Sequence, residues 1–165
     1  MVPFLGSDLL AIYLNDHLAG STAGLELARR ARSSNAGTPV GDFLARLVVE
    51  IEEDRDALER IMESLDVGPD RVKVAAAWAS EKAGRLKLNG RLTSYSPLSR
   101  LVELEGLLVG VWGKRGAWLA LLEIAPREPR LDEEQLRQLV VRADAQLDGL
   151  REHHAEAAAE ALTDR

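Results

Sequence analysis

"TPVGDFLARLVVEIEEDRDALERIMESLDVGP", residues 38–69, decides the fold. Leu44, Leu47, Ile51, Leu58, Ile61 and Leu65 recur at alternating steps of three and four, and Asp54 fills the one remaining place on the stripe. That spacing is the period of a helix with one buried face. Thr38 and Pro39 supply an N-cap and a first-turn residue with a preset φ. The helix is expected to end near Asp66, where Gly68 and Pro69 supply the stop. One amphipathic helix of this length cannot bury its own stripe, so it needs partners of similar length.

The partners lie on either side. "LAIYLNDHLAGSTAGLELARR", residues 10–30, has an apolar face through Leu10, Tyr13, His17, Gly20, Gly24 and Leu27, in a helix expected from the N-cap Ser7 to about Arg32. Beyond residue 69, "DRVKVAAAWASEKAG" reads as a short helix and "RLKLNGRLTSYS" as a loop. Ser96 and Pro97 repeat the cap-and-proline device and open a third long helix, with a seam through Leu101, Leu104, Leu108, Val111, Arg115, Trp118 and Leu122. Asp132 and Gln135 have capping-box spacing and open a fourth, with Leu136, Val140, Ala143, Leu147, Leu150 and His154 on its seam. The expected architecture is an all-α four-helix bundle in one domain, residues 1–165, with a short fifth helix in a long crossover between the second and third helices.

The totals agree with one soluble domain. The chain has 165 residues, of which 46% are hydrophobic and 29% charged. A net charge of −6 argues against a phosphate-backbone partner, so no nucleic acid is expected. There is no cysteine, which removes disulfides, thiolate metal sites and cysteine nucleophiles. No apolar run reaches the ~18 residues that span a bilayer. The opening "MVPFLGSDLL" lacks the basic and apolar regions of a secretory signal. A bacterial cytoplasmic setting is the expectation; arginine outnumbers lysine 17 to 4, as in GC-rich genomes.

Each seam is interrupted by a polar residue, which raises the question of a shared buried site. Suppose the crossover travels back along the bundle, so that the third helix descends and the fourth climbs. At ~1.5 Å per residue, His17 then lies ~15 Å above the base, with Asp54 and Asp144 both ~18 Å above it. Glu105 at ~28 Å and His154 at ~33 Å are too high to join them.

With this arrangement the chain resembles the ferritin-like superfamily of helical bundles along nearly its whole length, in architecture. The resemblance implies a di-iron centre built from one Glu on each of two helices and a Glu-x-x-His motif on each of the other two. Those motifs are absent: "EIEEDR" has Glu50, Glu53 and Asp54 without a His, and three residues before His154 stands Arg151. Two readings of His17, Glu50, Asp54 and Asp144 follow. One is a divergent site for Fe, Mn or Zn. The other is a satisfied polar contact in the core, with Arg55 or Arg142 as counter-charge. His153 and His154 point ~100° apart and do not chelate one ion together.

Glycines pose a second question, because each one inside a helix costs about 1 kcal/mol against Ala. In the assumed register Gly20 and Gly110 both fall near ~20 Å, and Gly24 and Gly106 near ~26 Å. A tight crossing of the first and third helices is the expectation, and Gly20→Leu with Gly110→Leu should then destabilise the fold. Room for a ligand, or for Trp112 and Trp118, is the alternative. "GKRG", residues 113–116, lacks Walker spacing and is not a phosphate loop. The basic loop residues Arg85, Lys87 and Arg91 are solvated or face an acidic partner, while Trp78 packs under Lys82. The functional expectation is a non-catalytic binding or interaction protein without a cofactor, working through a bundle face with a protein partner or as a homodimer. The rival is a carboxylate/histidine metalloprotein.

Overall fold

Cap signals fix the starts of three long helices, whereas the first is already helical at Leu5, ahead of the expected cap Ser7. In the computed structural model, which describes residues 5–76 and 95–163, the Thr38 side chain accepts from the Gly41 N–H and Pro39 opens the helix behind it. Ser96 and Ser99 cap each other reciprocally ahead of Pro97. Asp132 accepts from the N–H groups of Glu134 and Gln135. The long helices are α1 (Leu5–Ser34), α2 (Pro39–Ser64), α3 (Pro97–Ile124) and α4 (Glu133–Leu162), with a 3-10 turn at Ala125–Arg127 after α3. No strand occurs among the described residues. Residues 71–76 are helical, the beginning of the expected short helix; Trp78, Lys82 and the basic loop residues lie outside the described residues.

α2 ends at Ser64, four residues before the expected glycine. Asp66 takes the left-handed conformation at φ 59°, and the Val67 N–H reaches back to the Met62 carbonyl at 2.9 Å, closing the last turn. Aspartate tolerates this conformation better than most side chains, so the glycine is not needed there.

Side-chain pairs give the helix directions. Arg30 meets Glu103 at 2.9 Å near the end of α1 and the start of α3, and Arg29 meets Glu52 at 2.5 Å across α1 and α2. On the other side, Arg142 meets Glu53 at 2.8 Å, Glu105 meets His154 at 3.2 Å and Arg100 meets Glu160 at 2.6 Å. Thus α1 packs on α2 and α3, and α4 on α3 and α2, each neighbour antiparallel. α2 and α3 run the same way, so the chain leaves α2 at the end of the helices opposite the start of α3. Its departure is pinned by Asn15, which donates to the Gly68 carbonyl at 3.1 Å, and by Lys73, which pairs with Asp16 at 2.9 Å.

The core is a leucine interior closed by Trp118. All the expected α2 stripe residues, Asp54 included, are buried. Three seams differ from expectation by one position, that of α4 only in that Leu139 is buried where the expected residue is Val140. On α3 the inward side chains are Leu107, Lys114 and Leu121 instead of Leu108, Arg115 and Leu122. On α1 they are Leu14, Leu18, Leu25 and Ala28, while the expected stripe of Tyr13, His17, Gly20 and Gly24 is turned to one side. In both helices apolar residues stand side by side, so periodicity does not select one stripe.

Candidate functional site

The sequence places an aspartate on the α2 stripe, and the fold buries it to 2% exposure. Such a carboxylate needs partners, because an uncompensated buried charge is costly. They come from the facing helices. Lys114 of α3 donates through Nζ to Asp54 Oδ2 and, at 2.5 Å, to Gln146 Oε1 of α4. Gln146 donates through Nε2 to Glu50 at 2.9 Å and to Asp54 at 3.2 Å. Arg142 stands 3.2 Å from the second Asp54 oxygen. Burial pulls the Lys114 ammonium below its ordinary pKa, with Asp54 opposing the shift.

The four candidate ligands therefore separate. Asp54 and Glu50 come together through Gln146. Asp144 turns outward, about half exposed, and pairs with Arg115 at 2.6 Å. His17 lies on α1 with its ring edge-on to Tyr13 at 4.6 Å. Among the described residues no three His, Cys, Asp or Glu side chains converge. Protein cations meet the Asp54 carboxylate on both oxygens, and this donor set does not fit a di-iron centre. Lys114 and Gln146 were not anticipated. The one available signal was an aspartate with no partner on its own stripe, and the one-position ambiguity of α3 hid the lysine.

Beside this network a cavity of about 230 Å³ opens between α1 and α3. Gly20, Gly24, Gly106, Gly110 and Gly113 line it; His17, Arg55, Asp54, Lys114 and Trp118 carry its polar atoms. The tight glycine crossing is not what these helices make. A Cβ added at Gly20, Gly24, Gly110 or Gly113 would meet nothing within 4 Å, and Gly106 alone has a close neighbour, Leu27 Cδ2 at 2.9 Å. The register explains the mismatch: Gly106 faces Leu27, so the two glycine steps do not coincide. Nor do the glycines make room for Trp112, which is exposed under the Arg115 guanidinium, 5.7 Å from the ring centre.

His17 should give the site a measurable pH signature. Burial lowers its pKa from the ordinary 6.5, against the opposing pull of Asp16. Asp54, Lys114 and Arg55 line the same cavity. As pH falls through 6.5 the unfolded chain takes up the proton first, so stability drops until the folded pKa is passed. His17→Gln should flatten this part of the melting profile between about pH 7 and pH 5; an unchanged profile would show that the ring is not desolvated.

No helix among the described residues is long and apolar enough to cross a membrane. Comparison of the chain with family models, curated proteins and solved structures gives no match.

Proposed function

We propose that the protein is a ferritin-like helical bundle with a non-catalytic binding role, and that the α1–α3 cavity is its binding site for a small molecule. The observation that carries this reading is the open space at Gly20, Gly24, Gly110 and Gly113. Glycines kept for close packing have neighbours where a Cβ would stand; these have none, yet each weakens its helix. An engineered cavity of roughly 150 Å³ holds benzene, so the space of about 230 Å³ here suits a substituted ring or a short branched chain.

Two substitutions test the reading. Gly110→Ala should raise stability by up to about 1 kcal/mol in urea unfolding, because helix propensity improves and nothing is displaced. A loss of similar size would return the glycine to a packing role. Gly110→Leu should remain folded and fill the groove, abolishing the toluene uptake expected of the unsubstituted protein, which nuclear magnetic resonance would follow. Toluene uptake that survives this substitution would place binding elsewhere. The metalloprotein alternative predicts near-stoichiometric Fe, Mn or Zn in protein purified without chelators, lost on Asp54→Ala; the ion pairing of Asp54 favours the metal-free reading.

A further inference from the structure

Among the described residues that line the cavity, one ionisable side chain forms neither an ion pair nor a hydrogen bond. Asp16 pairs with Lys73 at 2.9 Å and Arg55 with Glu59 at 2.9 Å. Asp54 meets Lys114 and Gln146, with Arg142 at 3.2 Å. His17 has an edge contact with the Tyr13 ring and no polar partner. Helix period places it on the same face of α1 as Gly20, Ser21 and Gly24, and all four line the cavity. The register set by Leu27 against Gly106 and Arg30 against Glu103 brings Gly113 and Ala117 of α3 level with it. Those two lining positions carry a hydrogen and a methyl group, so a molecule in the cleft at this height lies against the imidazole.

We infer that ligand and proton exclude one another at this wall: the cavity holds an uncharged, apolar molecule while His17 is neutral and releases it when the ring takes up a proton. The inference rests on the reading of the cavity as a binding site. An imidazolium needs acceptors for two N–H groups. Water in an open cleft supplies them, whereas an apolar occupant displaces that water and offers none. Partial burial already lowers the pKa of His17, and an occupant extends the same desolvation. Linkage makes the effect mutual: the factor by which the occupant weakens proton binding is the factor by which the proton weakens the occupant. The surrounding charges do not reverse it. Asp16 favours the imidazolium, but its side chain is 60% exposed and shared with Lys73. From α2, Arg55 opposes a further cation, and Asp54 is enclosed by Lys114 and Arg142; from α3, Lys114 opposes it as well.

The test follows cyclohexane binding to the full chain by nuclear magnetic resonance from alkaline to mildly acid pH. A saturated ring is chosen because an aromatic face attracts cations and would mask the effect. Affinity should be at least about threefold weaker at about pH 5 than at about pH 8. Saturating cyclohexane should also move the titration midpoint of the His17 ring protons to lower pH. Calorimetry near about pH 6 in two buffers should show protons released on binding. His17→Gln keeps a polar side chain that does not titrate; at about pH 8 it should bind cyclohexane within about twofold of the parent, and its pH dependence should vanish. Should the fold not persist in acid, the midpoint shift and the proton count decide alone. An affinity flat with pH and an unmoved midpoint would overturn the switch and leave the site standing. A pH dependence that survives in His17→Gln would overturn the assignment to His17. Tighter binding in acid would overturn the sign. No uptake of cyclohexane or toluene at any pH would overturn the site reading and the switch with it.

Discussion

Replacing Asp54 with alanine is expected to remove about 3–5 kcal/mol of folding stability, a large share of what a domain of this size possesses. The loss comes from what the substitution leaves behind. Lys114 has a side chain only 16% exposed and would keep its charge with no carboxylate beside it, while Gln146 would lose one of its acceptors. Restoring an apolar interior should therefore help: Asp54→Ala combined with Lys114→Met should recover most of the loss, since a buried pair replaced on both sides is often neutral. The deficit of the single variant should also shrink at high pH. Burial lowers the Lys114 pKa from 10.5, so the folded protein gives up this proton before the unfolded chain does. Between the two pKa values the unfolded chain binds more protons, and stability rises with pH. Urea unfolding of the two variants at neutral and alkaline pH measures both effects. A single-variant loss below about 1 kcal/mol, or a double variant no better than the single, would show that the pair is solvated and not a buried network.

The same network shows how far the amino-acid pattern reaches. α2 was legible because its charged residues, among them Asp42, Glu53, Asp56, Glu59 and Glu63, mark the outward face and leave one inward stripe, even where apolar residues adjoin at Leu47–Val48 and Ile61–Met62. α3 was legible as a helix and ambiguous in rotation. Leu107 stands next to Leu108 and Leu121 next to Leu122, and the two stripes differ in whether Lys114 or Arg115 turns inward. That choice is made by Asp54 and Gln146 on the opposing helices, information no window of α3 contains. α1 carries the same ambiguity, and its consequence is larger. The stripe through His17, Gly20 and Gly24 has the period of a core seam, whereas it is the wall of a cavity. Glycine spacing permits two helices to pass closely, but whether they do depends on a register set by Leu27 against Gly106 and by Arg30 against Glu103.

Gly41→Ala should cost about 3 kcal/mol or more, and its direction is opposite to that of the same substitution at Gly110. Both glycines sit in helices, and on propensity alone each alanine would stabilise. The surroundings decide. At Gly41, in the first turn of α2, a Cβ would stand 2.0 Å from the Asn35 carbonyl oxygen and 2.8 Å from its carbon, backbone atoms that no rotamer change moves aside. Asn35 cannot yield cheaply, because it ties three elements together. Its carbonyl accepts from the Thr38 hydroxyl at 2.7 Å, its side-chain amide donates to the Ala31 carbonyl and the Tyr95 hydroxyl, both at 2.7 Å, and its side-chain oxygen accepts from Arg100 Nε at 2.7 Å. Displacing it should loosen the start of α3 as well as the α1–α2 turn. Tyr95 reports on that coupling: burial, more than any other influence, pushes its hydroxyl up to about 12 from the ordinary 10.0. In Gly41→Ala the tyrosine titration should move back toward 10.0 while urea unfolding shows the lost stability. A variant as stable as the parent, with an unmoved titration, would mean that the turn has slack which the contact at Asn35 denies.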